Sequence, residues 1–144
     1  ARFEVERCLF SETISVADLP EFWDQTYQEL LGVQSPTAAD GVLQDIHWAM
    51  GAFGYFPTYT LGNLINAQLF ETIHKENSDL ENQLKNGDLQ PLRDWLKEKI
   101  HSQSSRFSSE KLVEMVTGKP LSASAFLRYI KTMTQEVYGI TLNS

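Results

Sequence analysis

Apolar residues recur every three or four positions along most of the chain, and this spacing places them on one face of an α-helix. The first such stripe comprises Val16, Leu19, Phe22, Trp23, Tyr27, Leu30 and Leu31. Ser15 and Asp18 resemble a capping box at its start, and Gly32 follows it as a common helix stop. The pattern predicts a helix over about residues 16–31.

The next stripe predicts a longer helix from about Pro57 or Thr58 to His74. Its apolar members are Leu61, Leu64, Ile65, Leu69 and Ile73. Proline is tolerated in the first turn of a helix, because the N–H that it lacks has no helical partner there. The helix can therefore begin directly at Pro57.

Two more helices are predicted beyond residue 77. Ser78 and Glu81 repeat the capping-box pattern and open a short helix through Leu84, which ends at the Asn-Gly pair of residues 86–87. Asp88 then starts another helix. The apolar side of that helix consists of Leu89, Leu92, Leu96 and Ile100.

The last part of the chain predicts a polar loop and two helices. The loop covers residues 102–109, and Ser108 in it can cap the next helix, which ends near Gly118. The final stripe contains Ala125, Phe126, Tyr129, Ile130, Met133 and Val137. This helix is expected to reach about Tyr138, with Gly139 as its stop.

The pattern as a whole predicts an all-α fold, a multi-helix array. The only ambiguous stretch is RFEVER at residues 2–7, which fits either a strand or the tail of a helix. With 144 residues, of which 42% are hydrophobic, the chain is expected to form a single helical domain or fragment over residues 1–144. Because Ala1 leads directly into this stretch, we expect a fragment of a longer polypeptide.

Composition narrows the classes of partner. The formal net charge is −7, and no cluster of Lys and Arg interleaved with aromatic residues occurs, which disfavours nucleic acid and anionic membranes. No apolar run approaches the roughly 20 residues that a membrane-spanning helix needs, and the first ten residues are charged, unlike a signal peptide. These features predict a cytoplasmic protein, in which the single cysteine, Cys8, is a small buried apolar residue.

The segment Gly41–Gly62 differs from the rest of the chain because it is rich in glycine and aromatic residues. One interpretation is packing, with the aromatic rings filling a corner of the core and the glycines allowing close approach to a neighbouring helix. The other is chemical. His47, with Asp45 two residues earlier and the hydroxyls of Tyr55 and Tyr59 one helical turn apart, could bind an anionic group or a developing oxyanion.

No complete catalytic motif accompanies these residues. The sequence contains no HExxH, CxxC, Walker-type glycine loop or GxSxG. The three histidines, His47, His74 and His101, are too far apart in sequence to form a local metal motif. The residues by themselves therefore indicate binding and polarisation, without a metal or an evident nucleophile.

The same segment resembles the Taq-type metallocarboxypeptidases, peptidase family M32, whose pattern GxxQDxHW is matched at residues 41–48. The following GAFGYFPTYTLGN and QLF, and the stretches RFEVE, DLPEFW, GDLQPLRDWL and TGKPLS, are also similar to that family. The likeness covers essentially the whole chain and corresponds to the C-terminal portion of the family.

The resemblance implies a mostly helical fold like that of neurolysin and angiotensin-converting enzyme, and a zinc- or cobalt-dependent carboxypeptidase, commonly homodimeric, acting on peptides. In this chain it implies Tyr59 as the first candidate for the oxyanion donor and Tyr55 as the second, with His47 binding substrate. Gln44 and Asp45 belong to the pattern and are expected to support the site, Asp45 by orienting His47 or by capping the following segment.

Three hypotheses follow from the sequence. In the first, the chain is the C-terminal region of a metallocarboxypeptidase, has no cofactor site of its own and is inactive alone, because the family's HExxH, HPF, DxRxT and IRxxAD patterns are absent from it. In the second it is a non-catalytic helical module that binds peptides or dimerises. In the third the segment rich in glycine and aromatic residues only packs. A fragment would expose apolar stripes, so a homo-oligomer is expected.

Overall fold

The fold is known from a computed structural model, which describes residues 1–103 and 105–142. All regular elements in these ranges are helical, which confirms the all-α prediction. The helices are α1 (Arg2–Phe10), α2 (Leu19–Leu31), α3 (Ile46–Ala49), α4 (Pro57–Glu76), α5 (Leu80–Lys85), α6 (Gln90–Lys99), α7 (Ser109–Thr117) and α8 (Ser124–Tyr138), with 3₁₀ turns at Val42–Gln44 and His101–Gln103. The ambiguous RFEVER stretch is part of α1.

Most helix ends agree with the predictions. Helices α2, α7 and α8 each stop directly before a glycine with a left-handed backbone. The Ser108 hydroxyl accepts the Lys111 N–H at the start of α7, as a helix cap does. The predicted polar loop over residues 102–109 contains a 3₁₀ turn and includes Ser104, which lies outside the described residues.

Three helix starts differ from the predictions, and α6 is the simplest of them, since it begins at Gln90 rather than at Asp88. Helix α2 begins at Leu19 rather than at residue 16, because Ser15 and Asp18 bond to each other in a separate turn ahead of the helix. Helix α5 is preceded by Asp79, whose N–H donates to Asn77 Oδ1, so Ser78 is not its cap. At α2 and α5, local side-chain bonds outside the helix replaced the expected capping box.

The chain divides into two compact units, residues Ala1–Leu61 and Gly62–Ser144. The first unit is built around Val5 of α1, Trp23 of α2 and Val42, all buried. Trp23 stacks on Tyr27 with ring centroids 4.5 Å apart, and the edge of Trp48 packs against it at 5.6 Å. Helices α1 and α2 thereby form a platform under residues 41–59. Cys8 is also buried, as predicted.

The second unit packs α4, α5, α7 and α8 around a few buried side chains. Its buried residues include Ile73, Leu80, Val113 and Ala125. The buried Gln68 of α4 donates to Thr117, Lys119 and Pro120 and accepts the Ser122 N–H, so it holds the loop between α7 and α8. Among the described residues, no helix is both long enough and apolar enough to cross a membrane.

Candidate functional site

Residues 41–59, called the site segment here, contain every candidate residue named from the sequence. Asp45 sits between the 3₁₀ turn and the short helix α3, and its Oδ1 accepts the His47 backbone N–H at 2.8 Å. This bond caps the first turn of α3, in which His47 lies. The capping role expected for Asp45 is therefore present.

The glycines of the site segment serve the backbone in different ways. Gly51 and Gly54 have φ of +74° and +75°, and no atom lies within 4 Å of where a Cβ would stand. They lie in turns, so the close approach offered by the packing interpretation does not explain these two glycines; the left-handed backbone requires them. At Gly41, by contrast, a Cβ would come within 2.8 Å of Ser35 Oγ, and close approach is the reason there.

Asp45 also orients the His47 ring. The Nδ1 atom of His47 lies 3.0 Å from Asp45 Oδ1, and since an ionised carboxylate can only accept, Nδ1–H is the donor. Asp45 is only 3% exposed, and its other oxygen accepts from Arg2 Nη1 at 2.7 Å. Burial raises the pKa of Asp45, but the bonds from His47 and the charge of Arg2 outweigh it, so this pKa lies below its ordinary value. The carboxylate is ionised at neutral pH.

His47, Tyr55 and Tyr59 come together as one aromatic cluster. Tyr55 stacks on His47 with ring centroids 5.2 Å apart, and Tyr59 meets both rings edge-on at 6.3 and 5.6 Å. Tyr55 precedes helix α4 rather than lying on it, so the expected spacing of one helical turn is wrong, although the two rings are still neighbours. Tyr55 and Tyr59 are 48% and 52% exposed, so in this chain neither fills the core as the packing interpretation required.

Tyr59 is a neutral donor at neutral pH. The neighbouring Tyr55 hydroxyl, followed by burial, raises the pKa of Tyr59 above the ordinary tyrosine value. A neutral phenol keeps its proton and can donate it in a hydrogen bond to a negatively charged oxygen. This is the chemistry expected of an oxyanion donor.

Gln44 does not join the cluster. It ends the 3₁₀ turn with an exposed side chain, which makes no hydrogen bond to another described residue. Gln44 directly precedes Asp45 in the sequence, but the backbone turns between them, so the Gln44 side chain is exposed while that of Asp45 is buried. The structure therefore assembles His47, Asp45, Tyr55 and Tyr59 and leaves Gln44 apart.

Two charged residues contact the site segment that the sequence analysis did not single out. Arg2 binds Asp45, and Glu6, which is 4% exposed, accepts from Trp48 Nε1 and from the Gly54 N–H at 3.1 Å. Both residues lie on α1, four positions apart on either side of the buried Val5. The sequence could have indicated both residues, because two charged residues at helical spacing flank a core position. They were not singled out because RFEVER fitted either a strand or a helix.

The residues of this site do not fit a metal centre. Within residues 1–103 and 105–142, no three His, Cys, Asp or Glu side chains are grouped so that they could hold an ion. Asp45, the carboxylate beside His47, already binds Arg2 and His47. A metal is therefore not assigned to this cluster.

Comparison with known proteins identifies the family. The family model described as Carboxypeptidase Taq (M32) metallopeptidase matches residues 1–134. Thermostable carboxypeptidase 1 of Thermus thermophilus is 47% identical over 96% of this chain and 27% of the relative, and carboxypeptidase 1 of Bacillus subtilis is 37% identical over 95% and 27%.

Solved structures agree with the sequence relatives. The M32 carboxypeptidase from Deinococcus radiodurans superposes with a TM-score of 0.91 at 35% identity, covering 96% of this chain and 28% of that one. The carboxypeptidase of Pyrococcus furiosus gives 0.86 at 41% identity, covering 92% and 27%. The chain thus spans about a quarter of the length of the proteins it matches. By sequence and by fold, it belongs to the Carboxypeptidase Taq (M32) metallopeptidase family.

Proposed function

We propose that this chain forms one wall of the active-site cleft of a metal-dependent carboxypeptidase, as the C-terminal region of a longer polypeptide. In this proposal it supplies the side chains that hold the peptide and stabilise the oxyanion. The observation that carries it is the cluster of His47 with the exposed Tyr55 and Tyr59, in which the His47 ring is bonded to the buried Asp45. Membership of the M32 family supports the same reaction class.

The roles follow from the chemistry of each group. Hydrolysis of a peptide bond places negative charge on the carbonyl oxygen, and a preformed donor at that oxygen stabilises the transition state more than the substrate. Tyr59, with its proton retained, is the proposed donor, and Tyr55 is the second candidate. His47 has its Nδ1–H committed to Asp45, which leaves Nε2 for a polar group of the peptide.

The family's metal, expected to be zinc or cobalt, would be held by residues outside this chain. For that reason the isolated chain is expected to lack peptidase activity. Only the binding and polarising part of the reaction is assigned to the residues described above.

The test uses the complete polypeptide that carries this sequence. Tyr59→Phe removes one hydroxyl and should lower kcat by about 10²–10³-fold with little change in KM, because an oxyanion donor acts mainly in the transition state. His47→Ala should raise KM more than it lowers kcat. Tyr138→Phe, at an exposed site at the end of α8, is the matched control and should leave both constants unchanged. Wild-type kcat in Tyr59→Phe and Tyr55→Phe would exclude the proposed role.

A further inference from the structure

Helix α1 contacts the site segment from beneath at two points. Arg2 and Glu6 are four positions apart, so their side chains leave the same side of the helix one turn apart. Arg2 reaches Asp45, 43 residues away in sequence, and Glu6 reaches Trp48 and Gly54, 42 and 48 residues away. These contacts lie on either side of His47 and immediately before Tyr55.

Arg2 supports the half of the cluster that contains His47. Its Nη1 donates to Asp45 Oδ2 at 2.7 Å and its Nε donates to the Tyr27 hydroxyl at 3.2 Å. The guanidinium carbon also lies 4.2 Å from the centre of the Phe56 ring, a cation–π contact. Phe56 in turn touches the rings of His47 and Tyr59, at 5.5 and 5.4 Å between centroids.

Glu6 supports the other half. One carboxylate oxygen accepts from Trp48 Nε1 and the other accepts the Gly54 N–H, so both are used. Trp48 follows His47 directly, and Gly54 precedes Tyr55. The turn that contains Gly51 and Gly54 is therefore hydrogen-bonded to α1 at both of its ends. Without these bonds, the glycine-containing backbone would have more conformational freedom.

We propose that Arg2 and Glu6 are positioning residues of the active site: Arg2 fixes Asp45 and thereby the His47 ring, and Glu6 fixes the turn that presents Tyr55 and Tyr59. This inference rests on the proposed function and adds to it two residues that lie outside the GxxQDxHW pattern. Neither residue touches the reacting atoms. Their effect is to hold the donor groups in one arrangement before the peptide binds.

The helix supplies its own control. Glu4 and Arg7 form an ion pair on the exposed side of α1, with side chains 42% and 56% exposed. In the complete polypeptide, Arg2→Met and Glu6→Gln should each lower kcat/KM by about 10–100-fold, whereas Arg7→Met and Glu4→Gln should change it less than about twofold. Arg2→Lys should recover part of the loss, because it keeps the charge beside Asp45 but not the contacts to Tyr27 and Phe56.

A double-mutant cycle separates positioning from general stabilisation. If Arg2 acts through His47, Arg2→Met should lower kcat/KM much less in a His47→Ala background than in the wild type, since the group it positions is already removed. Equal losses in both backgrounds, or equal losses in the Arg7→Met control, would overturn the proposal.

Hydrogen exchange gives a readout that does not depend on activity. The His47 and Gly54 amides are bonded to Asp45 and Glu6, so peptides covering residues 46–56 should exchange faster in Arg2→Met and Glu6→Gln and at the wild-type rate in the two controls. Unchanged exchange in that segment would refute the positioning role. A fully active Tyr59→Phe variant would contradict the proposed function. If residues 46–56 nevertheless exchanged faster in Arg2→Met and Glu6→Gln, the structural link from α1 to the site segment would stand.

Discussion

Asp45 is the residue on which the candidate site depends most directly. Its two oxygens accept from Arg2, from the His47 ring and from the His47 backbone, and its side chain is fully buried. A buried carboxylate is stable only when its charge is compensated by such partners. Asp45 therefore both stabilises the fold of the first unit and orients the His47 ring.

The first prediction concerns the pH dependence of this carboxylate. Since the pKa of Asp45 is lower in the folded chain than in the unfolded one, its stabilising contribution is complete above about pH 4 and is lost as pH falls through the folded value. At pH 7, Asp45→Asn should lower the free energy of unfolding by about 2–4 kcal/mol. The difference between the two chains should shrink as the pH is lowered below about 4.

Chemical denaturation followed by tryptophan fluorescence measures this difference, since Trp23 and Trp48 lie in the same unit as Asp45. Glu71→Gln is the control. The Arg128 hydrogen bond lowers the pKa of Glu71 as well, but the Arg128 side chain is 61% exposed, so solvent screens this ion pair and its loss should change the free energy of unfolding little. A pH-independent difference for Asp45→Asn would contradict the assignment of an ionised, buried Asp45.

At the scale of elements, the site depends on a short irregular segment laid over two helices. Helices α1 and α2 supply the buried Val5 and Trp23, and Trp48 of α3 packs on that core. The turns at Gly51 and Gly54 then direct the chain so that Tyr55 arrives next to His47. A regular helix through these positions could not return the chain over such a short distance.

The second prediction uses substitutions at three glycines to test whether these turns are required. Gly51→Ala and Gly54→Ala place a Cβ on a left-handed backbone and should each destabilise the chain by about 1–2 kcal/mol. Gly62→Ala lies inside helix α4 with open space at its Cβ, so it should stabilise the chain by about 0.4–1 kcal/mol. Unfolding of the three variants measures the sign as well as the size. Equal effects at Gly54 and Gly62 would contradict the backbone explanation.

At the scale of the whole molecule, many large apolar side chains are exposed in this chain. They include Phe3, Phe10, Val16, Leu30, Leu31, Leu43, Ile46, Leu127 and Val137. A monomeric soluble protein usually exposes such residues singly. Their number agrees with the proposal that the chain is one region of a longer polypeptide, and the chain spans 27% of the length of its Thermus thermophilus relative.

The third prediction is that the isolated chain associates with itself. Burial of these side chains between copies would replace the missing contacts, so the molar mass should rise with concentration in size-exclusion chromatography with light scattering. Leu30→Gln combined with Leu31→Gln, at residues 60% and 61% exposed, should weaken association, whereas Glu29→Gln beside them should not. A monomer at all concentrations would also remove support from the dimerisation-module hypothesis.

Much of this protein's structure could be predicted from residues that are close together in the sequence. The stripes of apolar residues and the glycine stops determined where most helices lie, because helix formation depends on neighbours three or four positions apart. The motif at residues 41–48, together with the similar stretches along the rest of the chain, was enough to indicate the family. His47, Tyr55 and Tyr59 were also within reach of sequence reasoning, since only twelve residues separate them and a compact segment of that length brings them together.

Only the tertiary structure decided which groups hold that cluster. The contacts of Arg2 with Asp45 and of Glu6 with Gly54 join residues 43 and 48 positions apart, and no local pattern specifies such pairs. The separation of Gln44 from the cluster likewise depends on a backbone turn. The sequence by itself determined the helices, the family and the candidate aromatic groups, because these follow from local spacing and motif. Packing of α1 beneath the site segment decided their support, because buried charges take partners from wherever the fold brings them.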